Sequence, residues 1–600
     1  MSPDRDEGDE LDALVCWAAD EVGGLAEVGP SRDRRPPWGL NATEDVAAYR
    51  EWWRIHNENG SAAEPTGRLR FTIVVSLVDA RTEELRACVE SIRRQTVAEW
   101  SLVLFGAPTG GAEPDLVSTI NPSERINLVD SRTDDAPWTI AGPAMKKSDT
   151  AYAVFVDPGV TLRPDALARI DASTGSGIDV IYSDEDEVAS DGSHCRPVFK
   201  PDWAPDLLLS SPYLGGVLVV SRPVVEALGE SDTDELGNRD YELMLRSTEL
   251  ADRVVHVPHV LFHRRAGSAT GLPLSDEGER RALESALARR DLDASVEPSQ
   301  LPCAWRVRRT IRNAPSVGIV IPFRDQAALL AKCVTSIQGS PGHDNFEIVL
   351  VDNGSVEPET SALCTRLAER HGAKVVHYPG AFNWSAINNA GAAASTSEFL
   401  LFLNNDIEAT GRDWLRALVE QGQRREVGVV GARLLYPDGT LQHAGIVIGT
   451  GVIGWHIFMG LPPNETGYLG WDRVVRPYGA VTGACLLTRR DVFDELGGFD
   501  ESLEVAFNDV DYCLRARDAG YEVVYTPDAV LVHDEAMTRG LSGYRDDGRI
   551  FLAKWDRSRL REDPFFNKNL SRFDAWCPLR QPGEDERWEA YVDDLASPRS

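Results

Sequence analysis

The chain has 600 residues, 42% hydrophobic and 26% charged, which describes a folded globular protein of several domains and excludes a small disulfide-stapled fold or a broadly disordered chain. A formal net charge of -33 disfavours any general attraction to nucleic acid or anionic lipid. Nine cysteines without a C-x-x-C pair suggest neither a disulfide framework nor a zinc knuckle, and the acidic start MSPDRDEGDE has no signal-peptide character, so a cytoplasmic, reducing setting is expected.

In chain order, EDVAAYREWWRIHN carries Val46, Tyr49 and Trp53 at helical spacing and reads as a packing helix. The β-branched run Phe71 to Leu77, an amphipathic segment around Leu85, Cys88 and Ile92, and a second run Leu102 to Phe105 give the strand, helix, strand order of a right-handed parallel unit. That order returns with Val317 to Ile321, LLAKCVTSIQ and Phe346 to Val351, and the run Tyr152 to Val156 matches Phe399 to Leu403. RDYELMLR, with Asp240, parallels NDVDYCLR, with Asp509, and each precedes an apolar run and a histidine, His263 or His533, 23 and 24 residues on. Two related α/β halves follow from this correspondence. Residues 268–314 read as a connection and residues 541–600 as a tail folding back on the second half.

Ligands of open parallel sheets collect beyond the carboxyl ends of the strands, where Asp352 in VDNGS and Asp406 in LNND fall. Asp352 either accepts from a nucleobase or ribose, or caps the next helix. His533 ends another apolar run and could meet Asp406, giving one carboxylate and one imidazole for Mg²⁺ or Mn²⁺, with histidine favouring Mn²⁺; a loop histidine on the surface is the alternative. Asp509 and Asp511 stand two apart on a helix, so only one can face a cleft. Gly483 and Ala484 offer close backbone approach. GTGVIG, Gly449 to Gly454, lacks the strand and acid of a dinucleotide site. Trp384 reads as core, and His443 stays unassigned.

Together IVIPFRD, VDNGS, FNWSAINNAG, LLFLNND, LLYPDGTLQHAG, TGACLLTRRDVFDELGGFDE, NDVDYCLR and the closing histidine resemble, in order, an inverting family 2 glycosyltransferase of the GT-A fold, of the bacterial rhamnosyltransferase-like and cell-surface polysaccharide type. The resemblance implies two tandem GT-A-like α/β domains with mainly parallel sheets: a helical segment 1–68, a degenerate domain 69–267, a linker 268–314, a catalytic domain 315–540 and a tail 541–600. It implies that Asp352, Pro322, Asn388 and Asn404 serve the nucleotide-diphosphate sugar, that Asp406 and His533 hold Mn²⁺ or Mg²⁺, and that Asp509 is the catalytic base. The acceptor would be a polysaccharide or lipid-linked glycan at the inner face of the membrane, met without a transmembrane segment. Asn404 departs from the first aspartate of the family's D-x-D.

In the first half Asp157 keeps that aspartate, but Gly159 replaces the metal-binding acid, and LFGAP replaces VDNGS. This half is expected to be inactive, with Asp184, Asp186, Asp240 and His263 forming a polar cleft for acceptor glycan. Competing readings are two active domains making alternating linkages, a non-catalytic glycan-binding scaffold, and a sugar nucleotidyltransferase, whose Gly-rich activation loop is missing from IVIPFRDQ.

Overall fold

The computed structural model describes residues 42–58, 69–78, 80–106, 125–129, 131, 135–173, 177–229, 239–266, 277–301, 304–339, 341–534 and 543–597. The chain divides into two units at Arg308 and Arg309.

The first unit is built on β1 (Phe71–Ser76), β2 (Trp100–Phe105), β3 (Ile126–Val129), β4 (Tyr152–Val156), β5 (Val160–Leu162), β6 (Val180–Val188), β7 (His194–Val198), β8 (Val217–Ser221) and β9 (Val254–Arg265). These strands form a 9-stranded mixed sheet in the order β3-β2-β1-β4-β8-β6-β9-β5, with β7 beside β6. β4 is apolar throughout, and β1 apart from Thr72 and Ser76, because helices cover both faces of these strands. The helix Thr82–Arg93 buries Leu85, Cys88, Val89 and Ile92, the stripe its spacing predicts.

Residues read as a connection are instead ordered parts of this unit. The helix Glu277–Arg289 buries Ala282, Leu283, Ala286 and Leu287 in the same core as Trp305 and Val307, and β10 (Ala294–Pro298) pairs with β11 (Trp305–Arg309). The helix Ala42–Trp53 buries Tyr49, Trp52 and Trp53 and lies on β7.

The second unit contains β12 (Val317–Phe323), β13 (Phe346–Asp352), β14 (Lys374–His377), β15 (Phe399–Leu403), β16 (Ile407–Ala409), β17 (Val427–Leu435), β18 (Leu441–His443), β19 (Ile446–Ile448), β20 (Gly454–His456), β21 (Arg476–Pro477), β22 (Cys485–Arg489) and β23 (Glu522–His533). Its 10-stranded sheet runs β14-β13-β12-β15-β22-β17-β23-β16, strand for strand the order of the first unit. The two halves are thus two α/β units with mixed, mainly parallel sheets.

The tail joins the core of the second unit. Phe551, Leu560, Trp588, Val592 and Leu595 pack with Ile448, Val452 and Val481. Polar contacts fasten the tail to the β19–β20 hairpin: Trp588 Nε1 donates to the Val452 carbonyl (2.8 Å), Arg572 donates to the Gly449 carbonyl (3.0 Å), and Asp563 accepts from the Ile448 amide (2.9 Å). GTGVIG is the turn of this hairpin. Gly449 has φ +77°, and a side-chain carbon there would strike the Leu560 carbonyl.

Trp588 is fully buried and donates one hydrogen bond, so Trp588→Ala should cost about 3–5 kcal/mol. Chemical denaturation of the second unit's transition measures this; a loss below about 1 kcal/mol would mean that the tail does not belong to this core.

Candidate active site

The site lies where β15 ends. The chain turns through Asn404, Asn405 and Asp406 into β16, which pairs antiparallel with the end of β23 so that Ile407 stands opposite His533. The Asp534 amide donates to the Asp406 carbonyl (3.0 Å) and the Asn404 amide to the Ala484 carbonyl (3.0 Å), so backbone bonds hold the turn on both sides. His533 Nε2 then sits 3.1 Å from Asp406 Oδ1 and 3.4 Å from the Asn404 amide nitrogen. His533 Nδ1 lies 2.7 Å from Gln442 Oε1, which can only accept. Nδ1 is therefore the donor to Gln442, and Nε2 is the nitrogen that faces Asp406.

Two buried oxygens in this corner, Asp406 Oδ1 and Asn404 Oδ1, have no hydrogen-bond partner among the described residues. A carboxylate oxygen and an imidazole nitrogen that face each other form a corner that can take a cation. A carboxylate, an imidazole and an amide oxygen fit Mg²⁺ or Mn²⁺.

Asp509 lies in the first turn of the helix Asn508–Asp518. Its Oδ2 accepts from the Gly483 amide (2.8 Å) and its Oδ1 from the Val510 amide (2.8 Å). The choice between Asp509 and Asp511 is made by the tail. Asp511 is fully buried and bound to Arg515 (2.8 Å), Lys554 (2.6 Å) and the Trp555 indole (3.0 Å), whereas Asp509 is half-exposed. Burial pushes the Asp509 carboxyl above its ordinary range, against the pull of the Gly483 and Val510 amides and of His456. Gly483 leaves room for the Trp384 ring, 2.8 Å from where a side-chain carbon would sit. Trp384 itself is core, edge-on to Phe499.

At the other end, Asp352 closes β13. Its Oδ1 accepts from the Ser355 amide (2.8 Å), capping the turn in which Gly354 has φ +77°, and its Oδ2 lies 3.4 Å from His377 Nδ1. It borders a cleft of about 580 Å³ that Ser355, Thr365 and His377 also line. Turn cap and cleft-facing acid are thus both roles of one carboxylate. Pro322, half-buried, pairs with Val351 on the adjacent strand at the same sheet end. Asn388 does not join them: it is completely enclosed, its amide nitrogen donating to the Trp384 carbonyl (2.9 Å), so a direct contact with a bound donor is not available to it.

Sequence reasoning passed over Gln442 and His456. Gln442 receives one imidazole on its side chain, His533, and another on its main-chain carbonyl, His456 Nδ1 at 3.2 Å. His443, left unassigned, packs edge-on against His456 and is fully buried; burial first, then His456 and His533, keeps it neutral. The only signal for this group was LQHAG within the family-like motifs.

Residues 318–497 match the family model described as "Glycosyl transferase family 2". The second unit is a family 2 glycosyltransferase domain. The chain is also 34% identical over 597 residues to "O-antigen biosynthesis protein RfbC" of Myxococcus xanthus, covering 96% of this chain and 46% of that protein. It is 35% identical over 529 residues to "Uncharacterized protein y4gI" of Sinorhizobium fredii, covering 84% and 57%. Over 245 residues it is 29% identical to "N-acetylglucosaminyl-diphospho-decaprenol L-rhamnosyltransferase" of Mycobacterium tuberculosis, covering 36% and 78%. The chain thus spans about half the length of the first two relatives.

In the first unit, the glycosyltransferase site's counterpart is rebuilt. The Asp157 amide donates to the Gly216 carbonyl (3.0 Å) as that of Asn404 does to Ala484, which aligns Asp157 with Asn404 and Gly159 with Asp406. The match of His263 with His533 does not survive. On β6, Ser183 pairs with Val257 and Glu185 with Phe262; on β17 the corresponding Ala432 and Leu434 pair with Thr526 and Leu531, so both long strands take the same number of residues through their irregular stretch. His263 therefore matches Val532, one residue short of the position of His533, and its side chain points to the other face. Arg264, opposite Val160, takes the place of His533, opposite Ile407, and its guanidinium lies 3.0 Å from Asp157 Oδ2.

Lys200 fills the adjoining space. Its Nζ donates to the Leu214 carbonyl (2.8 Å), lies 3.6 Å from Glu185, and would be struck by any side chain on Gly215. The open polar cleft expected from Asp184, Asp186, Asp240 and His263 is also corrected: the first two and His263 are buried, Asp184 is bound by the Lys200 amide and His256, and Asp240 is exposed.

A raised carboxyl pKa destabilises the fold as pH climbs from the unfolded value, about 3.9, through the folded one, because the folded state must give up a proton it holds more tightly. Asp509→Asn should therefore melt at least as high as the parent at pH 7, with an advantage that grows between pH 4 and 7. A melting series across that range in which the variant loses stability would contradict the desolvated carboxylate.

Proposed function

We propose that the second unit transfers a sugar, with inversion, from a nucleotide-diphosphate donor to a glycan acceptor of surface-polysaccharide assembly. The observation that carries the proposal is the meeting of Asp406, Asn404 and His533 beside Asp509, from segments far apart in the chain. The names of the Myxococcus relative, an O-antigen biosynthesis protein, and of the mycobacterial rhamnosyltransferase support a polysaccharide or lipid-linked acceptor and a donor such as a deoxyhexose. Among the described residues no helix is long and apolar enough to cross a membrane.

Asp406 and His533 would hold Mn²⁺ or Mg²⁺, with Asn404 Oδ1 the further oxygen. When bound, the cation supplies charge neutralisation for the departing nucleoside diphosphate. Asp352 and the Pro322 strand end would receive the nucleoside. Asp509, held by the Gly483 and Val510 amides, takes the proton of the acceptor hydroxyl as its oxygen bonds to the anomeric carbon and the bond to the diphosphate oxygen breaks. A carboxyl lifted by burial is a better base at neutral pH than an ordinary one. Asn404 in place of an acid lowers the negative charge around the cation by one. The first unit is read as non-catalytic, since Arg264 and Lys200 occupy with fixed cations the space that the second unit leaves beside Asp406 and Gly483.

Asp509→Asn should lower turnover at least about 10²-fold while donor binding persists; release of nucleoside diphosphate with a donor panel measures the first and calorimetry the second. Asp240→Asn should retain most turnover, and equal loss in both variants would favour two working sites. Gln442→Leu, which removes the acceptor for His533 Nδ1, should weaken Mn²⁺ about 10–100-fold. Electron paramagnetic resonance of free Mn²⁺ reads this without turnover, and unchanged affinity would remove Gln442 from the account.

A further inference from the structure

His263 stands one residue before Arg264, so its side chain leaves Asp157 for the other face of the sheet. β6 lies between β7 and β9, and Asp186 is paired with His263 on β9. On its other side His194 of β7 stands opposite Val188, two residues from Asp186 and so on the same face. His263 Nδ1 lies 2.6 Å from Asp186 Oδ1, and His194 Nδ1 lies 2.7 Å from Asp186 Oδ2. The three ligand atoms fall within 4.8 Å of one another.

We propose that Asp186, His194 and His263 form a structural site for a first-row divalent ion of the Zn²⁺ type, separate from the glycosyltransferase centre and belonging to the first unit. Two imidazoles and one carboxylate are a donor set Zn²⁺ takes, with the fourth position left to water or a hydroxyl. Three adjacent strands carry the ligands, so the backbone fixes their spacing before any ion arrives.

The surroundings are those of a supported ligand set. Tyr49 donates to Asp186 Oδ2 (2.8 Å), which orients the carboxylate. Trp53 stacks on His194 with ring centres 3.7 Å apart and meets His263 edge-on, which fixes both rings. Asp186 and His263 are buried, and His194 is the side on which an ion enters. A buried carboxylate with two imidazole nitrogens within 2.7 Å gathers three donors for one cation in a small space. Bound there, the ion would pin the helix Ala42–Trp53, which carries both aromatic supports, to the sheet.

The test is Co²⁺ titration of the metal-stripped full chain carrying Asp406→Ala and His533→Ala, which silences the second unit. The expected result is one equivalent bound, with the visible absorption of a low-coordinate nitrogen–oxygen site, displaced by Zn²⁺, and a melting temperature raised by Zn²⁺. In His194→Asn and His263→Asn the side-chain amide keeps a hydrogen bond to Asp186 but offers no ring nitrogen. Both should lose the absorption and the thermal shift while retaining the parent's circular dichroism. No stoichiometric binding in the parent chain, or equal binding in the two asparagine variants, overturns the proposal.

Discussion

One cross-strand pairing organises the candidate site of the second unit: Ile407 opposite His533, at the point where the turn after β15 meets the end of β23. Because side chains alternate along a strand, this register decides whether the imidazole faces Asp406 or the opposite side of the sheet. The rest of the site is arranged around it. Gln442 holds the ring's far nitrogen, Ala484 holds the turn, and the neighbouring Gly483 anchors Asp509. The first unit keeps this pairing and changes the residue that occupies it. Its sheet has the same strand order and register, but Arg264 stands opposite Val160, so a guanidinium lies where the second unit has an imidazole.

Much of this was legible in the sequence. Both sheets announce themselves through apolar runs whose limits shift by one or two residues, and Tyr152–Val156 and Phe399–Leu403 fall where expected. Acids following such runs, Asp352 and Asp406, lie at strand ends, as the chemistry of parallel sheets requires. The residue that answers to His533 was harder to see, because hydrophobic periodicity records that a segment is buried and not which neighbour it pairs with. The trace it left was numerical. His263 follows Asp240 by 23 residues and His533 follows Asp509 by 24, and the residue 24 beyond Asp240 is Arg264.

Other features depend on contacts that no local pattern encodes. Spacing alone established that only one of Asp509 and Asp511 could face a cleft; Lys554 and Trp555, more than forty residues further on, make the choice by burying Asp511. The stretch 277–309 looks like a connection because its helix is short and charged, yet its apolar stripe completes the first core. Asn388 sits in a family-like motif but faces inward, so motif membership carried its helix and not its surface. The tail likewise supplies the wall behind the β19–β20 hairpin, whose glycine-rich turn is shaped by Leu560 and Arg572.

The two units make opposite claims on the same element of chemistry: one leaves lone pairs facing a gap, and the other closes the gap with its own cations. Diffraction from crystals grown with Mn²⁺ and a nucleoside diphosphate, recorded at the manganese edge, tests this directly. The account predicts an anomalous peak bonded to Asp406 and to Nε2 of His533, with none between Asp157 and Glu185. Manganese bound beside Asp157, or a diphosphate-bound second unit in which His533 has turned away from Asp406, would contradict it.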